Sequence, residues 1–497
     1  MIDEAKITIR NAGFLLAQRG LYIAGSLLFA VIVPRLMGPN HYGRYALIMS
    51  LYLWFVMASD LGYSEIMGRY VPHLRLQGEE EKLRKFFSNL LAVSLVSGIL
   101  SAGLFLLFTA LWLTDFDLSL LVTMTATLLV RAGARLFFVF FLGLNRASRW
   151  GMGEILRHWF LFVFVIIGYS LNALGGALKG ILLSELIVLS IGAYWGRSYL
   201  SWKELRLDIP YLIPYLQFGF MFFMFNLLAS ASQHSGAVLV RFFYPDYTQV
   251  GYFGLANSVY FTISMVIPQF TIAFAPLMIT LQAQGKTKIL KQWIEQLING
   301  LTAGGMFVVF GVLLLGNNLV PLVLGAAYQP VTINLLPLSI TMWAQVLSSV
   351  AILLTLVYNR PKIALMSAVT RLVALWIFGP FLIAKWGSLG GCFAVLLASA
   401  ICASYLTWRM KRVITYSLRK WASVITSGFI FLPLLWLKAS WSFNVLLYAV
   451  FVVGYCSLLI LLRIITFSEV VAVGRAFHSK NAIFNVPKSP ENEHLDG

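Results

Sequence analysis

Charge is what this chain has least of. Asp, Glu, Lys and Arg make up 11% of its 497 residues, against roughly 25% in an average soluble domain, and that deficit excludes a soluble globular protein. Acids are scarcer than bases: 19 Asp and Glu stand against 37 Lys and Arg, a formal charge of +18. Cysteine is nearly absent. Cys392, Cys402 and Cys456 all lie inside apolar runs, so no disulfide framework is implied. Strand-type alternation is nowhere sustained, which excludes an outer-membrane barrel. No metal-ligand cluster, nucleophile–base constellation or phosphate-cradling glycine loop stands out, and this weighs against an enzyme. The opening Met-Ile-Asp-Glu-Ala-Lys has no basic n-region and no small-residue cleavage site follows it, so the first apolar segment reads as a retained span rather than a signal peptide.

What the chain has is apolar surface: 60% hydrophobic and 15% aromatic residues. Apolar segments run at about 13–34, 45–63, 87–112, 118–142, 155–170, 177–194, 216–242, 252–277, 297–314, 335–357, 363–384, 389–408, 421–437 and 443–462. At roughly 20 residues per crossing, these predict an all-α polytopic membrane protein of about 14 transmembrane helices and leave no room for a soluble catalytic domain.

Orientation follows from where Lys and Arg sit. Alternate connections carry Arg75, Lys82, Arg84 and Lys85; Arg146 and Arg149; Arg197, Lys203 and Arg206; Lys286, Lys288 and Lys291; Arg360 and Lys362; and Arg409, Lys411, Arg412, Arg419 and Lys420. The intervening ones carry little beyond Arg35, Arg44, Lys179, Arg241, Lys385 and Lys438, with Asp115 and Asp117 adding negative charge. Both termini are therefore expected in the cytoplasm, in a multi-pass plasma (inner) membrane protein. Most of the positive excess is assigned to cytoplasmic loops beside anionic headgroups, and no nucleic-acid partner is implied.

Self-similarity is the most informative feature. Arg35-Leu-Met-Gly-Pro39 before Gly43-Arg-Tyr45 recurs as Arg241-Phe-Phe-Tyr-Pro245 before Gly251-Tyr-Phe253. Gln77-Gly78 with Leu83-Arg84 and Phe86 recurs as Gln284-Gly285 with Leu290-Lys291 and Trp293. Asn145-Arg146 with Arg157 recurs as Asn359-Arg360 with Arg371, and Leu174-Gly175-Gly176 as Leu389-Gly390-Gly391. Four collinear matches argue for a duplication into two parallel six-helix repeats, residues 1–207 and 208–415. Two further helices occupy 416–470, and 471–497 reads as a disordered cytoplasmic tail. Parallel repeats of this kind are a transporter-type architecture. Pro39 and Gly43 read as turn-forming residues rather than substrate contacts.

The run Arg35 to Gly43, followed after a span by Ser59-Asp60-Leu61-Gly62 and by the second Gly-x-[Tyr/Phe] copy, resembles the polysaccharide-biosynthesis exporters, the O-antigen and capsule flippases of the Wzx type. These belong to the multidrug/oligosaccharidyl-lipid/polysaccharide exporter superfamily, which also holds lipid II flippases and multidrug extruders. The resemblance spans essentially the first 415 residues and agrees with the span count. It implies a flippase that moves an undecaprenyl-pyrophosphate-linked oligosaccharide across the inner membrane, with a polysaccharide polymerase and chain-length regulator as partners. A lipid II flippase or multidrug exporter is the alternative, and a polytopic glycosyltransferase or polymerase a more distant one. Many members carry an Asp in the seventh span about fourteen residues before the repeated Gly. Here Ala237, beside Gly236, stands at that distance from Gly251, which puts an ion-coupling role for that position in doubt.

Ionisable groups in mid-span are functional candidates because each costs several kcal/mol unless it finds a partner or a wet cavity. Arg131 and Arg135 lie one turn apart in the fourth span, on one face with Thr127. Arginine's planar fork suits a pyrophosphate, so the pair is expected to face an aqueous vestibule; the alternative is ion pairing with Glu185 or Asp60. The seventh span carries Asn226, Ser230, His234 and Arg241 at helical spacing, thickened by Ser232 and Gln233. The first span has Asn11, Gln18, Arg19, Tyr22 and Ser26, and the tenth, equivalent to the fourth, has Thr341, Gln345, Ser348 and Ser349. The expected substrate-facing set is thus Arg131, Arg135, Arg19, Arg241, His234, Gln233, Asn226 and Gln345. Among the acids, Glu154 and Arg157 read as a local ion pair beside Arg146. Asp60 reads as a cap, with Arg69 two to three turns away. Glu185, deepest in a span, and Asp60 are the candidates for ion coupling. No cofactor is expected; H+, Na+ or the membrane potential would drive transport.

Overall fold

In hydrocarbon every backbone N–H and C=O must be satisfied within its own segment, so long apolar runs become helices. The structure, a computed structural model, describes residues 2–462, with side chains from Gly20 onward except that of Trp202. The polar tail at 471–497 and the side chain of Arg19 lie outside the described residues. Among the described residues the chain is helical throughout: α1 (Ile2–Ser59), α2 (Tyr63–Leu76), α3 (Glu80–Trp112), α4 (Leu118–Gly143), α5 (Ala147–Gly196), α6 (Ile209–Phe243), α7 (Tyr247–Ser264), α8 (Val266–Ala273), α9 (Ala275–Ala283), α10 (Thr287–Leu324), α11 (Val331–Val357), α12 (Pro361–Lys411), α13 (Arg419–Phe429) and α14 (Trp441–Leu461). Eleven stretches are long and apolar enough to cross a membrane, and leucines and isoleucines such as Ile99, Leu100, Leu104, Leu107 and Leu111 point outward along α3. Lipid accounts for that exposure, which a water-facing surface would not sustain.

Three of those stretches, 57, 53 and 51 residues long, would measure about 75–85 Å if straight, far more than the ~30 Å hydrocarbon thickness. Each folds back on itself. Helix α1 leaves helical geometry at Gly38 (φ 71°), and the rings of Phe29 and Tyr45 beyond it come within 6.2 Å. Helix α5 breaks at Asn172–Ala173, where Gly168 and Gly176 approach so closely that a Cβ on either would overlap the other's carbonyl. Helix α12 breaks at Gly387 (φ 58°), and a Cβ on Gly390 would overlap the Leu382 carbonyl. The α5 and α12 contacts sit 214 residues apart, 168 with 382 and 176 with 390, so the structure pairs Gly176 with Gly390, one residue from the sequence match of Gly176 with Gly391.

Helix ends repeat in the same way. Helix α4 stops with Asn145 in the left-handed region (φ 57°) and the Arg146 N–H donating to the Phe141 carbonyl; α11 stops with Asn359 (φ 51°) and Arg360 donating to Thr355. Helix α2 stops with Gly78 (φ 70°) and Glu79 donating to Leu74; α9 stops with Gly285 (φ 69°) and Lys286 donating to Leu281. These are left-handed C-terminal caps that satisfy otherwise orphaned carbonyls, and they explain why Asn and Gly recur at those positions.

The reading of Pro39 and Gly43 as a turn is corrected. Gly43 lies within α1 and Gly251 within α7, both helical, and the turn itself is at Gly38. A Cβ on Gly43 would overlap the Tyr247 carbonyl, and one on Gly251 the Pro39 carbonyl. The paired contacts, 43 with 247 and 251 with 39, are those of a pseudo-two-fold axis passing between the repeated motifs, with small residues admitting close backbone approach.

The described chain clusters into two units, Met1–Ala273 with Gly316–Met410, and Phe274–Leu315 with Lys411–Gly497. The first draws helices from both sequence halves. Its densest part is aromatic: Phe86, Phe87, Phe137, Phe138, Phe140 and Phe141 pack between α3, α4 and α5, with Gly153, Gly192 and Gly196 lying against the Phe137 and Phe138 rings. In the second unit Phe310 stacks on Phe451 at 3.9 Å, and the Tyr455 hydroxyl donates to the Val424 carbonyl at 2.8 Å. The expected span at 421–437 is not one α-helix. Helix α13 ends at Phe429, and the chain continues as a 3-10 turn over Leu432–Leu437, because Pro433 removes a donor the α-helix would need.

Candidate functional site

Three arginines lie in the middle of the first-half helices, and each meets a carboxylate. Arg131 on α4 approaches Glu185 on α5 (Nη1 to Oε2, 3.5 Å). Arg157, on the first limb of α5, reaches the other Glu185 oxygen at 3.9 Å and Glu154 at 2.7 Å. Arg135 on α4 pairs with Asp60 at 2.5 Å. The Glu185 and Asp60 side chains are only 2% and 5% exposed. The hairpin at Asn172–Ala173 is what brings Glu185 back to Arg157, and the break between α1 and α2 is what frees Asp60. Besides holding Arg135, Asp60 accepts from the Tyr63 N–H at 3.0 Å and so caps α2. A small cavity borders this pair, lined also by Ser59, Tyr63 and Ser94.

Three positive and three negative groups therefore neutralise one another, Arg131 and Arg157 with Glu185 and Glu154 in one cluster and Arg135 with Asp60 as a separate pair, in a medium where an unpaired charge costs several kcal/mol. The ion pairs of Arg131 with Glu185 and Arg135 with Asp60, weighed in the sequence as the alternative to an aqueous vestibule, are formed. Two neighbours differ from expectation. Asp60 is paired with Arg135 rather than Arg69, whose guanidinium lies 4.4 Å from the centre of the Phe218 ring. Arg146, expected beside Glu154 and Arg157, instead faces the Tyr199 ring at 5.8 Å.

The seventh-span stripe falls on α6. Asn226 donates to Glu65 on α2 at 3.3 Å. Gln233 and His234 are half-buried and make no hydrogen bond to the described residues. Arg241, in the last turn of α6, is neutralised: Asp115 lies at 3.5 Å, the Tyr247 ring centre at 4.5 Å, and the Tyr247 hydroxyl itself donates to Asp115 at 2.6 Å. Gln345 on α11 reaches Ser349 one turn on at 3.5 Å. Thus Arg131, Arg135, Glu185 and Asp60 are brought together around α4, Asn226 joins Glu65, and Arg241 stands apart with Asp115. Sequence reasoning missed the roles of Glu65 and Asp115. Their only signal was rarity, since so few acids occur that each is expected to hold a partner.

This fold is shared with known transporters. Lipid II flippase MurJ in an inward closed conformation superposes with a TM-score of 0.66 at 13% identity, covering 91% of this chain and 99% of that one. An inward-facing multidrug-resistance MATE family transporter of the MOP superfamily gives 0.64 at 14% identity, over 80% and 94%. A eukaryotic MATE transporter gives 0.55 at 14% identity, over 81% and 96%. At these identities the likeness establishes the fold. No curated protein matches the sequence. The family described as polysaccharide biosynthesis protein matches residues 9–282, more than half of the chain and nearly all of the first repeat. The chain is a member of the polysaccharide biosynthesis protein family, built on the fold of the MurJ and MATE transporters.

Proposed function

We propose that this protein is a flippase carrying a lipid-linked oligosaccharide, its sugar borne on undecaprenyl pyrophosphate, from the cytoplasmic to the outer face of the inner membrane for O-antigen, capsule or exopolysaccharide synthesis. The observation that carries the reading is family membership across nearly the whole first repeat. Physical necessity supplies the mechanism. The polar head cannot cross about 30 Å of hydrocarbon unaided, whereas the polyprenyl tail need not leave it. The head enters between the two repeats, 1–207 and 208–415, and the tail trails in lipid. Alternation about the Gly43–Gly251 crossing then exposes the head to the far side. Reading each of the three broken helices as two crossings brings the eleven stretches to about fourteen and returns both termini to the cytoplasm.

No covalent step is needed, so the protein is not an enzyme. The half-buried amides Asn226, Gln233 and Gln345 and the imidazole of His234, on α6 and α11, offer hydrogen bonds to sugar. Protonation of Glu185 or Asp60 would break an ion pair and bias the conformational equilibrium; H+, Na+ or the membrane potential is the driving force. The polymerase and chain-length regulator receive the product outside. The test is expression in a host lacking its own polysaccharide flippase, with carrier-linked oligosaccharide followed on each face. The expected result is polymer at the surface and loss of the cytoplasmic pool. Rescue of lipid II flippase depletion, without rescue of polymer, would move the protein to that branch.

A further inference from the structure

The duplication copied one mid-membrane arginine without its partners. Arg157 and Arg371 are repeat mates, each ten residues beyond the start of its hairpin's first limb, at corresponding positions 214 apart. Around Arg157 stand Glu154 and Glu185. The positions equivalent to those acids in the second half are Ala368 and Ser399, and the equivalents of Asp60, Arg131 and Arg135 are Ile267, Gln345 and Ser349. The second copy has lost every acid and kept a single base.

The structure bears this out in contacts. Arg371 is half-buried and has no carboxylate within ion-pair distance among the described residues, unlike Arg131, Arg135 and Arg157 at comparable depth. The Tyr260 hydroxyl is its polar neighbour instead. Its depth is fixed by the neighbouring helix. Trp376 donates to Ser235 at 3.1 Å and Gly379 packs on Leu239, so Arg371, five residues earlier, lies level with the Ser230 and His234 stripe of α6.

A guanidinium in hydrocarbon with no counter-charge is an expensive arrangement, and a donor beside it suits an oxyanion: an arginine fork binds two phosphate oxygens while a hydroxyl donates to a third. We propose that Arg371 is an anion-binding residue that takes a phosphate or pyrophosphate oxygen of a lipid headgroup, with Tyr260 as its supporting donor. The neutral first-half ion pairs are then scaffold, and anion recognition sits in the second half. Only the identity of the anion as a polyprenyl carrier's pyrophosphate rests on the flippase reading; the site itself does not.

The test uses the purified full chain in nanodiscs and three probes: a short-chain polyprenyl pyrophosphate, inorganic pyrophosphate, and phosphatidylglycerol in the disc as competitor. Wild type is expected to bind the polyprenyl pyrophosphate. Arg371→Gln should weaken that by about tenfold or more, the loss of one charge-assisted hydrogen bond. Ala368→Glu, which restores the Glu154-like partner, should weaken it comparably, and Ala368→Gln should stay within about twofold because it leaves the charge free. Thermal unfolding reports whether Ala368→Glu folds; if it does not, Arg371→Gln and Arg371→Lys carry the comparison. Wild-type binding of inorganic pyrophosphate or phosphatidylglycerol alone, lost in Arg371→Gln, keeps the site and sinks the flippase reading. Equal affinity in wild type, Arg371→Gln and a folded Ala368→Glu, or no binding of any probe by wild type, overturns the site.

Discussion

At the scale of single residues, the arginines that look most like ligands are structural partners first. Arg131 holds Glu185, whose side chain is 2% exposed, so removing the base leaves that buried acid with only the 3.9 Å contact to Arg157. Arg131→Ala is expected to lower thermal stability by about 3 kcal/mol and with it the amount of protein in the membrane. The double substitution Arg131→Gln with Glu185→Gln removes both charges and should return the protein level to near wild type. If Arg131→Ala instead reaches wild-type levels yet loses export, the side chain acts on substrate and the structural reading fails. Asp60 has two tasks, capping α2 and neutralising Arg135. Asp60→Asn keeps the cap and loses the charge, so it should destabilise less than Asp60→Ala, a difference of about 1 kcal/mol measurable by unfolding in detergent. Rarity of acids made Asp60 and Glu185 visible in the sequence. Which base each meets was not visible, because the pairs join residues 28 to 75 positions apart through a chain reversal.

At the scale of helices, glycine determines where backbones touch. The overlap a Cβ would cause at Gly43 or Gly251 is with a main-chain carbonyl, which cannot rotate away as a side chain can. Gly43→Ala and Gly251→Ala are therefore expected to cost at least the ~1–3 kcal/mol typical of overpacking, seen as reduced yield and a lowered Tm. Gly103→Ala, where nothing lies near the added carbon, is the matched control. A stability equal to that control in either variant would refute the crossing. Asn145 and Asn359 show how much of this level was legible: the repeat in the sequence marked both positions, and both adopt the same left-handed cap. The motif around Gly43 was equally visible, but its helical geometry was not, since a Gly following Pro in sequence is compatible with a turn or with a crossing.

At the scale of the whole molecule, the three hairpins give a topology that charge bias alone also predicts. Single cysteines placed at Arg360 and Trp386, in a background without Cys392, Cys402 and Cys456, should separate cleanly. In intact cells a membrane-impermeant thiol reagent should label position 386, next to the Gly387 tip, and spare position 360. The reverse pattern would invert the assignment. Opposite labelling of the two positions is also what two crossings within α12 require. A single crossing cannot place its 51 residues across about 30 Å.

By itself the sequence determined the solvent of this protein, its helical class, the order of its spans and the duplication, because those follow from local composition and from periodicity that survives along a line of residues. The tertiary structure decided which charges are spent on one another. An ion pair in a low-dielectric interior depends on distances of 3 to 4 Å between side chains on different helices, and those distances are set by where the chain reverses, at Gly38, Asn172–Ala173 and Gly387. Arg131, Arg135, Arg157 and Arg241 each meet an acid, whereas Arg371 has no carboxylate partner among the described residues.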